Sequence, residues 1–238
     1  MKTFSIVIPF LNEEKTLNKI LEKILNITDF NYKKEIILVN DWSTDKGEEI
    51  VLKYLDKNIE NCTFHYIKNS NNKWKWFSLK EWFKKATWDY IIIQDWDLEY
   101  DPNDYKKLIT KLENENLDFV YWSRNRWFIE NWFKYSYLTF LFWWIIVSFF
   151  TSIFALKIVT DEPTCYKLFR NHLKEYLILP IENWFEWESA ITILLLKKWF
   201  KYGESWIKYF PRKMTEWKKI KWTDWVKAIK TIVMRRFK

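Results

Sequence analysis

Between Ser5 and Tyr121 the sequence alternates short apolar runs with amphipathic segments, and few architectures accept that order. Ser5–Pro9, Glu35–Val39, Thr63–Ile67, Tyr90–Gln94 and Asp118–Tyr121 are of strand length. Glu14–Leu25, Lys46–Leu55, Phe77–Ala86 and Asp104–Glu115 read as helices; in the first, Leu17, Ile20, Leu21, Ile24 and Leu25 share a face. This alternation predicts an α/β fold whose central sheet is mainly parallel and covered by helices on both faces. The length of 238 residues fits one such domain. The second half is less regular. An uncharged apolar stretch fills 137–156, a helix is expected over Phe185–Lys197 and a strand over Tyr202–Phe210. A basic amphipathic helix is expected over Thr223–Arg236.

The balance of Trp and Gly adds a second constraint. The chain has 18 Trp and 2 Gly, where average usage gives roughly 17 glycines. Several tryptophans stand where backbone chemistry favours glycine. Asn40-Asp41-Trp42-Ser43-Thr44-Asp45 follows a strand, and Asn72-Lys73-Trp74-Lys75-Trp76 reads as another turn. The pattern fits UGA codons that some bacterial lineages read as glycine, at 42, 74, 76, 82, 88 and 122 among others. The alternative is a Trp-rich surface for sugar or lipid. The coding DNA separates the two, since UGG at those positions ends the first.

The net charge of +8 suits anionic partners, namely phosphates, an acidic membrane surface or nucleic acid. No run of basic residues resembles a nucleic-acid arm, so nucleic acid ranks last. Cys62 and Cys165 are far apart and point to a reducing compartment, not a disulfide scaffold. His65 and His172 lack metal-ligand spacing. The first residues lead directly into a strand, so no signal peptide is expected.

In an open parallel sheet, ligands bind beyond the carboxyl ends of the strands. Here those ends are polar: Pro9 is followed by Asn12 and Glu13, the second strand ends in Asn40-Asp41, and the fourth in Gln94-Asp95-Trp96-Asp97. Each alone also reads as helix capping; together they predict one polar edge. In an extended segment Asp95 and Asp97 would point the same way, and Glu99 would continue the alternation. Two carboxylates on one side suit Mg²⁺ or Mn²⁺, which would stabilise a diphosphate leaving group. A solvated acidic loop would carry the same pair. Neither a Walker A loop nor GxGxxG is present, even with every Trp read as Gly, and there is no GxSxG elbow.

These stretches resemble the family 2 glycosyltransferases, which have a GT-A fold. The likeness lies in Ser5-Ile-Val-Ile-Pro-Phe-Leu-Asn-Glu-Glu14, Asn40-Asp-Trp-Ser-Thr-Asp45, Gln94-Asp-Trp-Asp-Leu-Glu-Tyr-Asp-Pro102 and Val120-Tyr-Trp-Ser-Arg124. Asp161-Glu-Pro-Thr-Cys-Tyr-Lys-Leu-Phe169 and Tyr209-Phe-Pro-Arg212 resemble the branch with dolichyl- and polyprenyl-phosphate mannosyltransferases. Trp stands where the family has Gly at 42, 74, 76, 82, 88, 122, 199, 217 and 225, and Trp96 replaces Gly or Ala. Were those indoles real, buried sites would be overpacked and the nucleotide pocket crowded at 42 and 74.

The resemblance implies a hexose, mannose or glucose, carried from a GDP- or UDP-sugar to polyprenyl phosphate with inversion. Pro9, Asn12, Glu13 and Asp41 would line the nucleoside pocket, with Lys75 near the nucleotide. Asp95, Asp97 and Glu99 would hold the metal and diphosphate. Ser123, Arg124, Arg126 and Arg212 would meet acceptor phosphate, helped by Lys218; Arg suits this because its planar fork bonds two oxygens. A phosphate acceptor is largely a dianion at neutral pH, its second pKa being near 6. A sugar hydroxyl, as in envelope polysaccharide synthesis, would need a carboxylate base, for which Asp161 and Glu188 are the candidates and Glu186 a structural neighbour. A non-catalytic membrane-attached binder is the reading if the tryptophans are real.

A single span over 137–156 would put Asp95 and Arg212 on opposite sides of a bilayer, whereas the resemblance places both in one site. The stretch is therefore expected to form interface helices or a hairpin that receives a lipid tail, with residues 143 and 144 breaking the helix if they are glycine. The expected organisation is a domain over 1–215, with interface helices inserted at 137–158, and a basic amphipathic segment over 216–238. There Lys218, Lys219, Lys221, Lys227, Lys230, Arg235, Arg236 and Lys238 surround Val226, Ile229, Ile232 and Val233. A helix packed on the domain is the alternative. Peripheral attachment to the cytoplasmic face of a membrane follows as the expected location.

Overall fold

The structure, a computed structural model, describes residues 1–71, 79–80, 83, 88–125, 138–182, 184–206, 209 and 222–237. Its strands are β1 (Thr3–Phe10), β2 (Lys33–Asn40), β3 (Cys62–Lys68), β4 (Tyr90–Ile93), β5 (Phe119–Ser123), β6 (Lys167–Arg170) and β7 (Tyr202–Trp206). The helices are α1 (Leu17–Leu25), α2 (Gly47–Leu55), α3 (Tyr105–Asn114), α4 (Leu138–Ala155), α5 (Lys174–Ile178), α6 (Glu186–Lys197) and α7 (Trp222–Phe237). Of the expected helix over 77–86, the described residues 79, 80 and 83 are helical.

One sheet runs in the order β3-β2-β1-β4-β6-β5-β7. All neighbours pair in parallel except β6, which is antiparallel to both β4 and β5. The parallel strands therefore end on one edge. Ile6 pairs with Ile36 and with Ile92, so the three central strands are in register across their apolar runs. Alternate residues serve two cores. Phe4, Ile6, Ile8, Leu38 and Ile92 meet α1, α2 and α3 through Leu21, Val51 and Leu108. Val7, Ile37, Ile91 and Ile93 belong with α4, α6 and α7 through Val147, Ile191 and Ile232. Both faces are covered, which is why these strands carry no polar alternation.

The sequence reading missed β6. Four residues, Lys167-Leu-Phe-Arg170, are too few to show a period, and pairing with β4 and β5 decides their conformation. The expected interface pair or hairpin over 137–158 is instead one continuous helix, α4. It packs against α6 and α7 and buries Val147, Thr151 and Ala155. Among the described residues no helix is long and apolar enough to cross a membrane. The C-terminal helix also joins the core, through Trp225, Ala228 and Ile232, and Arg235 grips both oxygens of Glu182 at 2.9 and 2.6 Å.

Backbone conformation bears on the tryptophans. Trp42 has φ 73° and Trp199 φ 63°, the left-handed region that glycine enters without strain. Trp88 and Trp122 are fully buried, and neither indole N–H has an acceptor among the described residues. Trp88 sits in one apolar cluster and Trp122 in the other. Gly203 marks a real close approach: a Cβ there would stand 2.4 Å from Leu117 Cδ1.

Candidate active site

The polar edge expected from the strand ends is present, and its loops are stitched to one another. Asp41 N donates to Phe10 O at 3.0 Å and Gln94 N to Val7 O at 2.9 Å, extending the ladders to the rim. Asn12, at φ 58°, accepts from Thr44 N at 2.8 Å, while its own N–H donates to Ser43 Oγ at 3.0 Å. Asn40 Oδ1 accepts from Ser43 N at 2.7 Å. Asp45 accepts from Glu14 N at 2.8 Å and Gly47 N at 2.9 Å. The polar residues in these two loops thus shape the rim itself. Pro9 lies buried within β1 opposite Val39, and Glu13 O caps the start of α1. Asp41 is buried at the rim and receives Asn69 Nδ2 at 2.8 Å. Lys75, Arg126, Arg212 and Lys218 lie outside the described residues, as do Trp74, Trp76, Trp82 and Trp217.

The acidic motif departs from the extended geometry expected of it. Strand pairing stops at Ile93, the chain turns from residue 96, and Leu98 has φ 60°. Asp97 Oδ1 accepts from Glu99 N at 3.2 Å, so the turn is held locally. Gln94 is buried beneath: its Oε1 accepts from Tyr105 and Tyr166, and its Nε2 donates to Asp95 O at 2.7 Å. That fixes where Asp95 leaves the sheet. Glu99 is buried and accepts from Tyr209 OH at 3.2 Å. Among the described residues no three His, Cys, Asp or Glu side chains gather as a metal site. The turn takes Asp95, Asp97 and Glu99 out of the extended alternation, and Glu99 is engaged with Tyr209.

Beyond β5 lies the second group of candidates. Arg124 donates from Nε and Nη2 to Asp161 Oδ2 and Oδ1 at 2.8 and 2.7 Å, and its backbone N–H also reaches Oδ2 at 2.8 Å. Trp144 Nε1 adds a bond of 2.6 Å, and Tyr209 lies 5.6 Å from the guanidinium. Asp161 has no exposed surface. The Arg124 fork expected to meet acceptor phosphate is thus turned onto Asp161, and Asp161 is not placed as an accessible base. Ser123 Oγ lies 3.1 Å from Thr160 Oγ1.

Glu188 is likewise buried, 2.6 Å from Lys167 Nζ, and Lys167 also bonds the carbonyls of Glu162 and Thr164. The base role expected for Glu188 meets the same obstacle. Glu162, fully buried beside this pair, is pushed up to about 7; burial is the main cause, opposed by Lys167 and reinforced by Glu188.

Sequence reasoning missed Glu204. From β7 it accepts from Thr160 N at 2.7 Å, Thr160 Oγ1 and Tyr202 OH, so it anchors the loop that carries Asp161. A carboxylate inside a short strand was the available signal. Tyr209 was noticed only as part of a motif, yet its ring and hydroxyl join Arg124 to Glu99.

A parallel sheet with one antiparallel insertion and an acidic turn at its carboxyl edge defines a GT-A-type α/β protein. The chain belongs to glycosyl transferase family 2, whose family model matches residues 5–177. It is similar to a dodecaprenyl-phosphate galacturonate synthase of Rhizobium johnstonii, 28% identical over 51% of this chain and 36% of that protein. It is also similar to a dolichol-phosphate mannosyltransferase of Pyrococcus furiosus, 30% identical over 46% of this chain and 30% of that one. The matches thus cover about a third of these relatives' own length. Among solved structures, glucosyl-3-phosphoglycerate synthase from Mycobacterium tuberculosis superposes with a TM-score of 0.69 at 17% identity, over 99% of this chain and 80% of that one. This last likeness concerns the fold.

Proposed function

We propose that this protein transfers a hexose from a nucleotide sugar to a polyprenyl phosphate, inverting the anomeric carbon. An acceptor phosphate oxygen would attack that carbon from the face opposite the diphosphate. The new C–O bond forms as the bond to the diphosphate breaks, and the electron pair leaves with the nucleoside diphosphate. The observation that supports a phosphate acceptor is the pairing of both candidate bases, Asp161 with Arg124 and Glu188 with Lys167. A phosphate dianion needs no base, whereas a sugar hydroxyl does. Relatives named for dodecaprenyl-, undecaprenyl- and dolichol-phosphate point the same way.

On the donor side, Asn12, Glu13 and Asp41 would receive the nucleoside, with Lys75 nearby. Asp95 and Asp97 offer two hard oxygen donors at the rim. They fit a Mg²⁺ or Mn²⁺ ion that draws its remaining ligands from diphosphate and water. Such an ion would supply positive charge against the departing diphosphate. The structurally similar synthase was crystallised with Mn²⁺, UDP-glucose and phosphoglyceric acid. With Arg124 committed to Asp161, acceptor phosphate would fall to Ser123, Arg126 and Arg212. A lipid acceptor would place the chain at a membrane surface.

The test is transfer of labelled sugar from GDP-mannose, UDP-glucose and related donors to a short polyprenyl phosphate. A lipid product labile to mild acid supports the reading. Label found only in acid-stable polysaccharide overturns it in favour of a hydroxyl acceptor. Calorimetry showing no binding of GDP or UDP with Mn²⁺ would remove the enzyme reading altogether.

A further inference from the structure

We propose that the outward faces of α4 and α7 together form a docking surface for an anionic lipid bilayer. The proposal gives a physical site to the membrane attachment that the polyprenyl-phosphate reading requires, but its observations are independent of catalysis.

On α4, Phe142, Ile145, Phe149 and Ile153 recur at spacings of three and four, so they form one stripe. Phe142 and Phe149 are each 58% exposed, and the stripe continues into Leu156 and Ile158 beyond the helix. The opposite side of α4 carries Val147, Ser148, Thr151 and Ala155 into the domain. The helix therefore has a buried face and an apolar outer face, and no charge along its length. Scattered exposed apolar residues are ordinary on a monomer; a continuous row of this kind marks an interaction site.

α7 extends the row and adds charge. Its Phe237 ring meets Phe154 of α4 at 6.2 Å, which makes the two outer faces continuous. Val226, Lys230, Met234 and Phe237 recur at three and four along its exposed side, with Lys227 and Arg236 beside them. Asp224 is the acidic residue of this helix; it is buried and lies 3.8 Å from Lys227. An apolar band rimmed by cations is the arrangement of interfacial helices, whose apolar side enters the acyl boundary while the basic side meets anionic headgroups.

The charge decides between a bilayer and a second copy of the chain. A symmetric dimer through this face would set one basic rim against another, and like charges facing each other oppose association. An anionic leaflet gains from the same rim.

The test is flotation of the full chain with vesicles of phosphatidylcholine, alone or mixed with phosphatidylglycerol. Binding should favour the mixed vesicles and fall with added salt. Lys230→Glu/Arg236→Glu should weaken it at least tenfold, since each cation near an anionic surface contributes about fivefold. Phe149→Ser/Ile153→Ser should abolish binding to both vesicle types while circular dichroism stays unchanged, because these side chains are exposed. Equal binding by that double variant overturns the proposal. So does a concentration-dependent dimer, lost in the same variant, without vesicle binding. Sugar transfer to a short, water-soluble acceptor is measured alongside. If transfer persists while vesicles are ignored, the docking surface fails and the activity stands; vesicle binding with no transfer gives the reverse.

Discussion

Arg124 and Asp161 form a two-pronged ion pair, with bonds of 2.8 and 2.7 Å and neither side chain open to water. A buried pair of this kind is costly to break one partner at a time, because the other charge stays behind in a low-dielectric site. Asp161→Asn or Arg124→Met should therefore lower stability by about 3–5 kcal/mol. The double replacement Arg124→Met/Asp161→Leu should cost clearly less than the sum of the singles. Denaturant unfolding of the three variants measures this coupling, and additive losses would show that the pair is not a unit.

The acidic turn should behave oppositely, with a large effect on turnover and a small one on folding. Asp97 is half-buried at the rim and Asp95 is buried at the strand end, both outside the two apolar clusters. Asp95→Ala/Asp97→Ala should reduce sugar transfer by at least 100-fold, the scale on which a lost electrostatic stabiliser acts. The unfolding midpoint should move little. A chelator should silence the wild-type protein, and Mn²⁺ or Mg²⁺ should restore it. Full turnover in the double variant would end the metal reading.

These two sites also show where sequence was informative. Continuous apolar strands such as Ile36-Ile37-Leu38-Val39 determine their own burial on both faces, so the parallel sheet and its polar edge were legible. The antiparallel β6 was not, because Lys167-Leu-Phe-Arg170 gains its strand conformation only from neighbours far away in the chain. The positions of Asn12, Asp41 and Asp95 on one rim followed from strand direction alone. What lay beyond reach was side-chain commitment. Nothing in the spacing of Arg124 and Asp161, or of Lys167 and Glu188, tells that they consume each other. Glu99 left the expected alternation because the chain turns after Asp95, and a turn with Leu98 at positive φ has no clear local signal.

Trp42 and Trp199 hold left-handed backbone that costs an L-residue roughly 1–2 kcal/mol and glycine almost nothing. Trp42→Gly and Trp199→Gly should accordingly leave stability unchanged or raise it by up to about 1 kcal/mol. Trp42→Gly should also tighten GDP or UDP binding by opening the rim next to Asp41. The gene gives the parallel answer: UGA at 42 and 199 accords with glycine in the cell, and UGG at both positions excludes it. Loss of stability in both glycine variants would mean that the indoles are native features of these turns.

Glu162 provides a pH signature that the catalytic reading does not need. Its carboxyl is raised from 4.5 to about 7, chiefly by burial, with Lys167 opposing and Glu188 adding to the rise. Across that window the folded protein keeps a proton that the unfolded chain has already released. Stability is therefore highest below about pH 4.5 as far as this group is concerned, and falls as pH rises through 7. The loss it contributes is on the order of 3 kcal/mol. Glu162→Gln keeps the shape and removes the titration, so it should flatten the decline between pH 5 and 7 and be the more stable form at pH 8. Unfolding of both proteins across that range measures the difference. A wild-type curve parallel to that of Glu162→Gln would mean that the carboxyl titrates normally, with its burial offset by the ammonium of Lys167.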